Sequence, residues 1–441
     1  MENDNIDDTT ADESEELEYF QQIMNDNESK LSESDEEFGF IPAPIDHLGP
    51  PGRWIRHKLL ESILYGTPVL LAIQRLRCKY VTQYMHIASI LGTEEAYVVL
   101  FCFLAWIVDM RLARLISVGM AVGFYCANGV KNVFCLPRPP SPPVRPLENA
   151  YYTWGLPSHH SVLAVVCPWY IWFYCLLHYH LELTTFIVLF TLIATWSCSV
   201  LICRIYNGIH SPADVVTGSL IGCIIVAFMH RYDNIMDLSS IFNSQSALLL
   251  PVISCILLIL HPYDEVGLAA FVETTSMVSA ATGIILGKAY SHGRSPPLKN
   301  VMEMYKYGET PLIHTITIGF ARVFLGVVLV GLTKVVFKKV AQMMIELVMK
   351  LLDIKYYTKS KTSVFYTGYN KNYRLPPIFA NKNKNSEEEE EREKEKRLRM
   401  IAQQQEPWNI SHAVRFATYI GVGFNAYYTH SALCQHLRLT L

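Results

Sequence analysis

The sequence predicts an all-α fold, a polytopic membrane helical bundle of about 8–10 spans. Three observations lead there. Apolar runs of about 17–24 residues recur along the 441-residue chain, the length a helix needs to cross about 30 Å of hydrocarbon. The chain is 51% hydrophobic, with 25 Tyr, 20 Phe and a mean hydropathy of +0.20. Its charge is concentrated outside the apolar runs, above all at the N-terminus and in one late insertion.

Taken in order, residues 1–40 hold fifteen acids and a single lysine, Lys30, with few apolar side chains. That is the composition of a disordered tail, expected over 1–45, and a solvated arm explains it as well as a partner-binding one. The first residues are acidic, so no cleavable signal peptide is expected. The stretch 41-IPAPIDHLGPPGRW-54 interrupts any helix. Residues 58–75 are apolar for only about a dozen positions, which suits an interfacial helix as well as a span. Spans are expected near 89–109, 112–131, 161–179, 183–203, 213–230, 246–262, 266–288 and 312–335. Residues 338–354 carry apolar side chains in helical register and read as amphipathic. Together these form a transmembrane body over 56–354. A charged loop or insertion follows at 355–410, then a C-terminal membrane segment at 411–441 whose run 412–433 is weakened by His, Arg and Asn.

The eleven cysteines are scattered, odd in number and without a CxxC pair. They read as small buried apolar side chains, not as a disulfide framework or a zinc site. Nothing in the charge pattern points to a nucleic-acid partner. Basic residues near 110–114, 230–234 and 288–306 would share one face, which the positive-inside rule assigns to the cytosol. The segments 134–160, 204–213 and the acidic loop at Tyr263, Asp264 and Glu265 then lie on the opposite, lumenal or extracellular face.

That second face collects the unusual residues. In 131-KNVFCLPRPPSPPV-144, Lys131 is followed by Arg138, and the prolines hold the loop extended. Alone, such a pair merely snorkels. Pro157-Ser158-His159-His160 opens a span, and helix N-termini favour anions while a histidine there can exchange a proton near neutral pH. In 203-CRIYNGIHSPADVV-216, Arg204 precedes His210 and Asp214. The spacing i, i+4 sets the Asp214 carboxylate beside the His210 ring, where it can fix one ring nitrogen and leave the other as a nucleophile. An aspartate at a helix start also serves the dipole. Three cations, two separated histidines and an acid on one face match what a phosphate monoester requires, since its transition state spreads charge over three oxygens.

These stretches resemble the signature of the type 2 phosphatidic acid phosphatase superfamily, whose haloperoxidase-like catalytic core is expected at about 88–230: K-x6-R-P, P-S-G-H and S-R-x5-H-x3-D. PRPPSPPV, PSHH and RIYNGIHSPADVVTG further resemble the sphingosine-1-phosphate (long-chain-base-1-phosphate) phosphatase branch. The resemblance implies catalytic roles for His210 as nucleophile, Asp214 as its orienting partner and His160 as acid and base. It implies phosphate binding by Lys131, Arg138, Ser158, His159 and Arg204, with no metal and no cofactor. The implied partner is a membrane lipid substrate, a long-chain-base 1-phosphate, at the endoplasmic reticulum with the site facing the lumen. Two positions depart from the pattern: His159 replaces a small residue, and Cys203 replaces Ser, removing one possible phosphate donor. Rival readings are a broad phosphatase of phosphatidic and lysophosphatidic acid, and a non-catalytic lipid transporter or binding protein of the same fold.

Overall fold

The computed structural model describes residues 47–141, 143–147, 154–233, 245–262, 268–291, 301, 311–354, 356–357 and 408–439. The acidic tail, nearly all of the charged insertion, the acidic loop at Tyr263, Asp264 and Glu265, and Arg294, Lys299 and Lys306 lie outside the described residues.

The chain opens with α1 (Pro50–Tyr65), α2 (Thr67–Gln74), α3 (Lys79–Leu91) and α4 (Glu94–Phe103), the last extended by a π-helical turn to Val108. The helices α5 (Met110–Phe134), α6 (His159–His178), α7 (Leu183–Tyr206) and α8 (Pro212–Arg231) follow. After them come α9 (Leu250–Leu260), α10 (Leu268–Ser291), α11 (Leu312–Leu351), α12 (Ser411–Phe424) and α13 (His430–His436). Strand pairing among the described residues is limited to two residue pairs, Tyr356–Tyr357 against Trp408–Asn409. Helical architecture is therefore as expected.

Six described helices are long and apolar enough to cross a membrane, or seven if the bent pair Lys79–Leu91 and Glu94–Val108 is one span. Three expectations change. The run read as one span over 89–109 breaks by 61° at Gly92-Thr93, because Thr93 caps a new helix, its hydroxyl accepting from the Ala96 N–H at 3.4 Å. The run near 246–262 yields a shorter apolar helix, Ser246–Leu260. The span at 312–335 and the amphipathic stretch behind it form a single 40-residue helix, α11, about 60 Å long.

The core lies between α4, α5, α6 and α8, where Trp106, Leu115, Phe124, Val166, Tyr170 and Met229 are buried together. Side chains on α7 and α11, among them Leu192, Phe320 and Phe324, stay exposed and suit contact with lipid. Gly218 and Gly222 let α8 lie against α6; a Cβ at Gly218 would stand 2.5 Å from the Ser158 carbonyl oxygen. At the C-terminal end of the chain, Trp106 Nε1 donates to the Ala426 carbonyl at 3.1 Å and Arg322 Nη2 to that of Leu439 at 2.8 Å, fastening α12 and α13 to the bundle.

The helices α5 to α8 run alternately up and down. Their arrangement brings the end of α5, the start of α6, the end of α7 and the start of α8 to one face. The opposite ends are joined by Arg111, which donates to Asp233 Oδ2 at 2.9 Å, with His178 Nε2 3.4 Å from the same oxygen.

Candidate active site

Each side chain at the converging ends is placed by a local stop or start signal. The helix α5 ends because Cys135 adopts a left-handed conformation (φ 47°), its N–H donating to the Lys131 carbonyl at 2.9 Å. Lys131 thus sits in the last turn, 2% exposed. The following segment is held by the Gly155 N–H, which donates to the Leu136 carbonyl at 2.7 Å. From it Arg138 reaches across, Nη1 donating to the Ile209 carbonyl at 2.6 Å.

The start of α8 carries a reciprocal cap. Ser211 Oγ accepts from the Asp214 N–H at 3.1 Å, and Asp214 Oδ2 accepts from the Ser211 N–H at 2.8 Å. The same carboxylate oxygen lies 3.2 Å from His210 Nδ1, while His210 Nε2 lies 3.4 Å from Arg138 Nη1. A guanidinium has only donors, so Nε2 is the acceptor and Nδ1 carries the proton toward Asp214. This is the tautomer in which Nε2 keeps a lone pair for attack. His210 is 1% exposed and Asp214 is fully buried. Burial, reinforced by the charges of Arg138, Lys131 and Arg204, holds the His210 imidazole well below its ordinary range, so the ring stays neutral near pH 7.

The start of α6 is tied to α8, the Ser158 N–H donating to the Asp214 carbonyl at 3.1 Å. Ser158 Oγ caps α6, accepting from the Ser161 N–H at 3.4 Å. His159 and His160 follow with ring centroids 4.0 Å apart, in the first turn, where a helix leaves N–H donors unused. Lys131 Nζ donates to His159 Nδ1 at 3.3 Å, and the His159 ring also meets Phe124. The bulk introduced at 159 therefore packs against Lys131 and Phe124. His160 Nδ1 is buried without a hydrogen-bond partner among the described residues. Arg204 is 2% exposed; its Nη2 donates to Ser89 Oγ at 2.9 Å and to the Ser89 carbonyl at 3.2 Å, leaving Nε unpartnered. The Cys203 thiol turns back to the Val200 carbonyl at 3.1 Å within its own helix.

Lys131, Arg138, Ser158, His159, His160, Arg204, His210 and Asp214 thus meet at one end of four helices. The set can bind a tetrahedral anion through its cations and helix N-terminal N–H groups, offer Nε2 of His210 as nucleophile and exchange a proton at His160. Sequence reasoning missed Ser89, the residue that steadies Arg204. It also found no acid cluster, whereas the fold makes one: Glu94, His159 and Glu273 each place a potential ligand atom within 4.8 Å of the others. Glu94 follows a capping threonine inside an apolar run, and Glu273 is a lone acid within a span; the latter was the available signal.

Residues 112–235 match the PAP2 superfamily. The chain is 30% identical over 301 residues to a probable sphingosine-1-phosphate phosphatase of Dictyostelium discoideum, covering 65% of this chain and 74% of that protein. It is 26% identical to a dihydrosphingosine 1-phosphate phosphatase of Schizosaccharomyces pombe, covering 55% of this chain and 60% of that one. Identity to sphingosine-1-phosphate phosphatase 2 of Homo sapiens is 23%, covering 56% and 62%. No solved structure matches the chain.

Proposed function

Because the chain belongs to the PAP2 superfamily, we propose that it is a phosphoric monoester hydrolase that removes the phosphate of sphingosine 1-phosphate or a related long-chain-base 1-phosphate in sphingolipid metabolism. The observation that carries this reading is the placement of His210, with Nδ1 3.2 Å from Asp214 and Nε2 3.4 Å from Arg138. The matched relatives' names supply the substrate class. The catalytic unit is assigned to about residues 88–230 of the membrane body.

In the first half-reaction the Nε2 lone pair of His210 attacks phosphorus, and the P–O bond to the long-chain base breaks. His160, protonated, gives its proton to the departing alkoxide. Lys131, Arg138 and Arg204 take the charge on the three nonbridging oxygens, joined by N–H groups of the first turn of α6 and the Ser158 hydroxyl. In the second half-reaction His160 accepts a proton from water, the hydroxide attacks phosphorus, the P–N bond breaks and inorganic phosphate leaves. Each histidine returns to its starting state.

A site at the ends of spans suits an amphiphile whose tail remains in the bilayer. The positive-inside rule favours Arg111, Arg114 and Arg231 on the cytosolic side, which supports a site on the opposite face, the lumenal one if the protein resides in the endoplasmic reticulum as the resemblance implies. The test is phosphate release from sphingosine 1-phosphate and from phosphatidic acid by detergent-solubilised protein in EDTA, beside His210→Ala. Release chiefly from the sphingoid substrate, lost in the variant, is expected. Equal turnover of both lipids would replace the narrow reading with a broad lipid phosphate phosphatase. No release from folded protein would end the enzyme reading.

A further inference from the structure

Resting on the reading just given, we infer that Glu94, Glu273 and Asn128 form a subsite that binds the ammonium group of the long-chain-base phosphate and selects it over lipids without an amine. Glu94 opens α4, Glu273 lies within α10, and both meet His159 at the start of α6. Neither glutamate belongs to the stretch that matches the PAP2 superfamily. Discrimination would then come from helices packed around the core, with the phosphate chemistry inside it.

Three features point to a cationic ligand. Two neighbouring carboxylates repel unless a shared proton or a positive group lies between them. Lys131 and Arg415 act on Glu94, and Lys131 and Arg138 on Glu273, without a hydrogen bond to either carboxylate among the described residues; Lys131 Nζ donates to His159, and Arg415 Nη1 donates to Ser276 Oγ at 3.1 Å. Asn128, fully buried on α5, lies against the Glu273 carboxylate. Its amide nitrogen donates to the Ala270 carbonyl at 2.9 Å and to Thr274 Oγ1 at 3.1 Å, and its carbonyl oxygen has no partner. Two carboxylates and one orphaned carbonyl are acceptors for the three N–H bonds of a primary ammonium.

Position supports the same ligand. His159 lies within 4.8 Å of both acids and bonds Lys131, so the acceptors lie one side chain away from the phosphate cations. A long-chain-base 1-phosphate carries its ammonium on the carbon next to the one bearing the phosphoester. Its two charged groups are therefore close together, as neighbouring subsites require. A phosphate lipid lacking the amine would leave the buried acceptors unpaired, a strong basis for rejection.

The experiment compares kcat/KM for sphingosine 1-phosphate and octadecyl phosphate, which lacks the amine, in EDTA-containing micelles. Wild type, Glu94→Gln, Glu273→Gln and the double variant are measured, each checked by size exclusion and thermal unfolding. Wild type is expected to favour the amine substrate by about a hundredfold, each single variant to cut that ratio about tenfold, and the double variant to approach parity. A wild-type preference below about threefold overturns the inference without any variant. So does an equal loss on both substrates in the variants. Activity abolished by EDTA and restored by Mg²⁺ or Mn²⁺ only with both glutamates present would make the trio a metal site instead. If wild type hydrolyses neither lipid, binding to the His210→Ala protein decides. Glutamate-dependent preference for sphingosine 1-phosphate keeps the subsite while removing the phosphatase reading, and equal binding of the two lipids removes both.

Discussion

His210 Nδ1 lies 3.2 Å from Asp214 Oδ2, and that oxygen is itself held by the Ser211 N–H at 2.8 Å. The carboxylate that orients the ring is thus fixed by the cap that starts α8, so Ser211 and Asp214 both build the helix end and set the tautomer of His210. Replacing Asp214 by Asn keeps the shape and removes the preference for a proton on Nδ1. We expect Asp214→Asn to lower kcat by about 10³–10⁴ and His210→Ala to remove turnover. Rapid quench with ³²P-labelled substrate checks the assignment: an acid-labile, base-stable protein label is expected in wild type and absent in His210→Ala. A label persisting in that variant would place the nucleophile elsewhere.

The acid limb of the pH profile should be displaced. His210 must be neutral to attack, and burial first, then Arg138, holds its titration well below the ordinary value near 6.5. The protonated form appears only at lower pH, so kcat/KM should hold through pH 6.5 and fall on the acid side of it. Arg138→Ala leaves the burial in place and removes one charge, so its limb should move up toward the ordinary range even as KM rises. The same shift gives stability a sign. Below about pH 6.5 the unfolded chain takes up a proton that folded His210 refuses, so stability conferred by the neutral ring is lost as pH falls. A wild-type acid limb at or above 6.5 would contradict this.

Arg204 depends on Ser89. The Ser89 hydroxyl accepts from Arg204 Nη2 at 2.9 Å, and a bond to a charged group is worth about 1.5–3 kcal/mol. Ser89→Ala should therefore lower kcat/KM about tenfold or more. As Ser89 acts through Arg204, inhibition by inorganic phosphate should weaken in parallel, and Ser89→Thr should restore both. Gly92 guards the same contact. A Cβ there would lie 2.8 Å from Val200 Cγ1 and 3.3 Å from Arg204 Nη2, so Gly92→Ala should reproduce the loss. A normal phosphate inhibition constant in Ser89→Ala would show that the contact only packs α3 on α7.

How far the sequence reached depends on the range of each signal. Lys131 with Arg138, and Arg204 with His210 and Asp214, lie within seven and ten residues along the chain, so their spacing was readable before any fold was known. Ser89 on Arg204, and Glu94 with Glu273, are meetings of distant helices, and no local pattern encodes them. The break at Gly92-Thr93 was hidden because Leu91 and the apolar residues after Glu95 continue one hydropathy run, although Thr93-Glu94-Glu95 is a helix-start signature inside it. The stretch behind 312–335 was separated from its span by its lysines, yet no Gly or Pro stands between Val335 and Leu351 to end the helix. The motif implies phosphate binding at His159, but the contact of its ring with Lys131 depends on how α5 meets α6.

The end of the bundle away from the site offers a separation of stability from chemistry. Asp109 caps α5, Oδ1 accepting from the Arg111 N–H at 2.7 Å and the Leu112 N–H at 3.1 Å. Its other oxygen accepts from Tyr174 at 2.9 Å and Tyr179 at 3.1 Å, so one carboxylate links α5 to α6. Losing a cap costs about 1–2 kcal/mol, and the two tyrosine bonds add to that. Asp233 is different: its ion pair with Arg111 is partly exposed, and such pairs contribute about 0–1 kcal/mol. We expect Asp109→Ala to lower Tm by several degrees and Asp233→Asn to lower it little or not at all. Both should keep the kcat of the folded fraction, since neither side chain lies at the phosphate end. Thermal unfolding in detergent, read beside turnover per folded molecule, checks both halves. A large fall in kcat for Asp109→Ala at unchanged fold would mean that the two ends of the bundle are coupled.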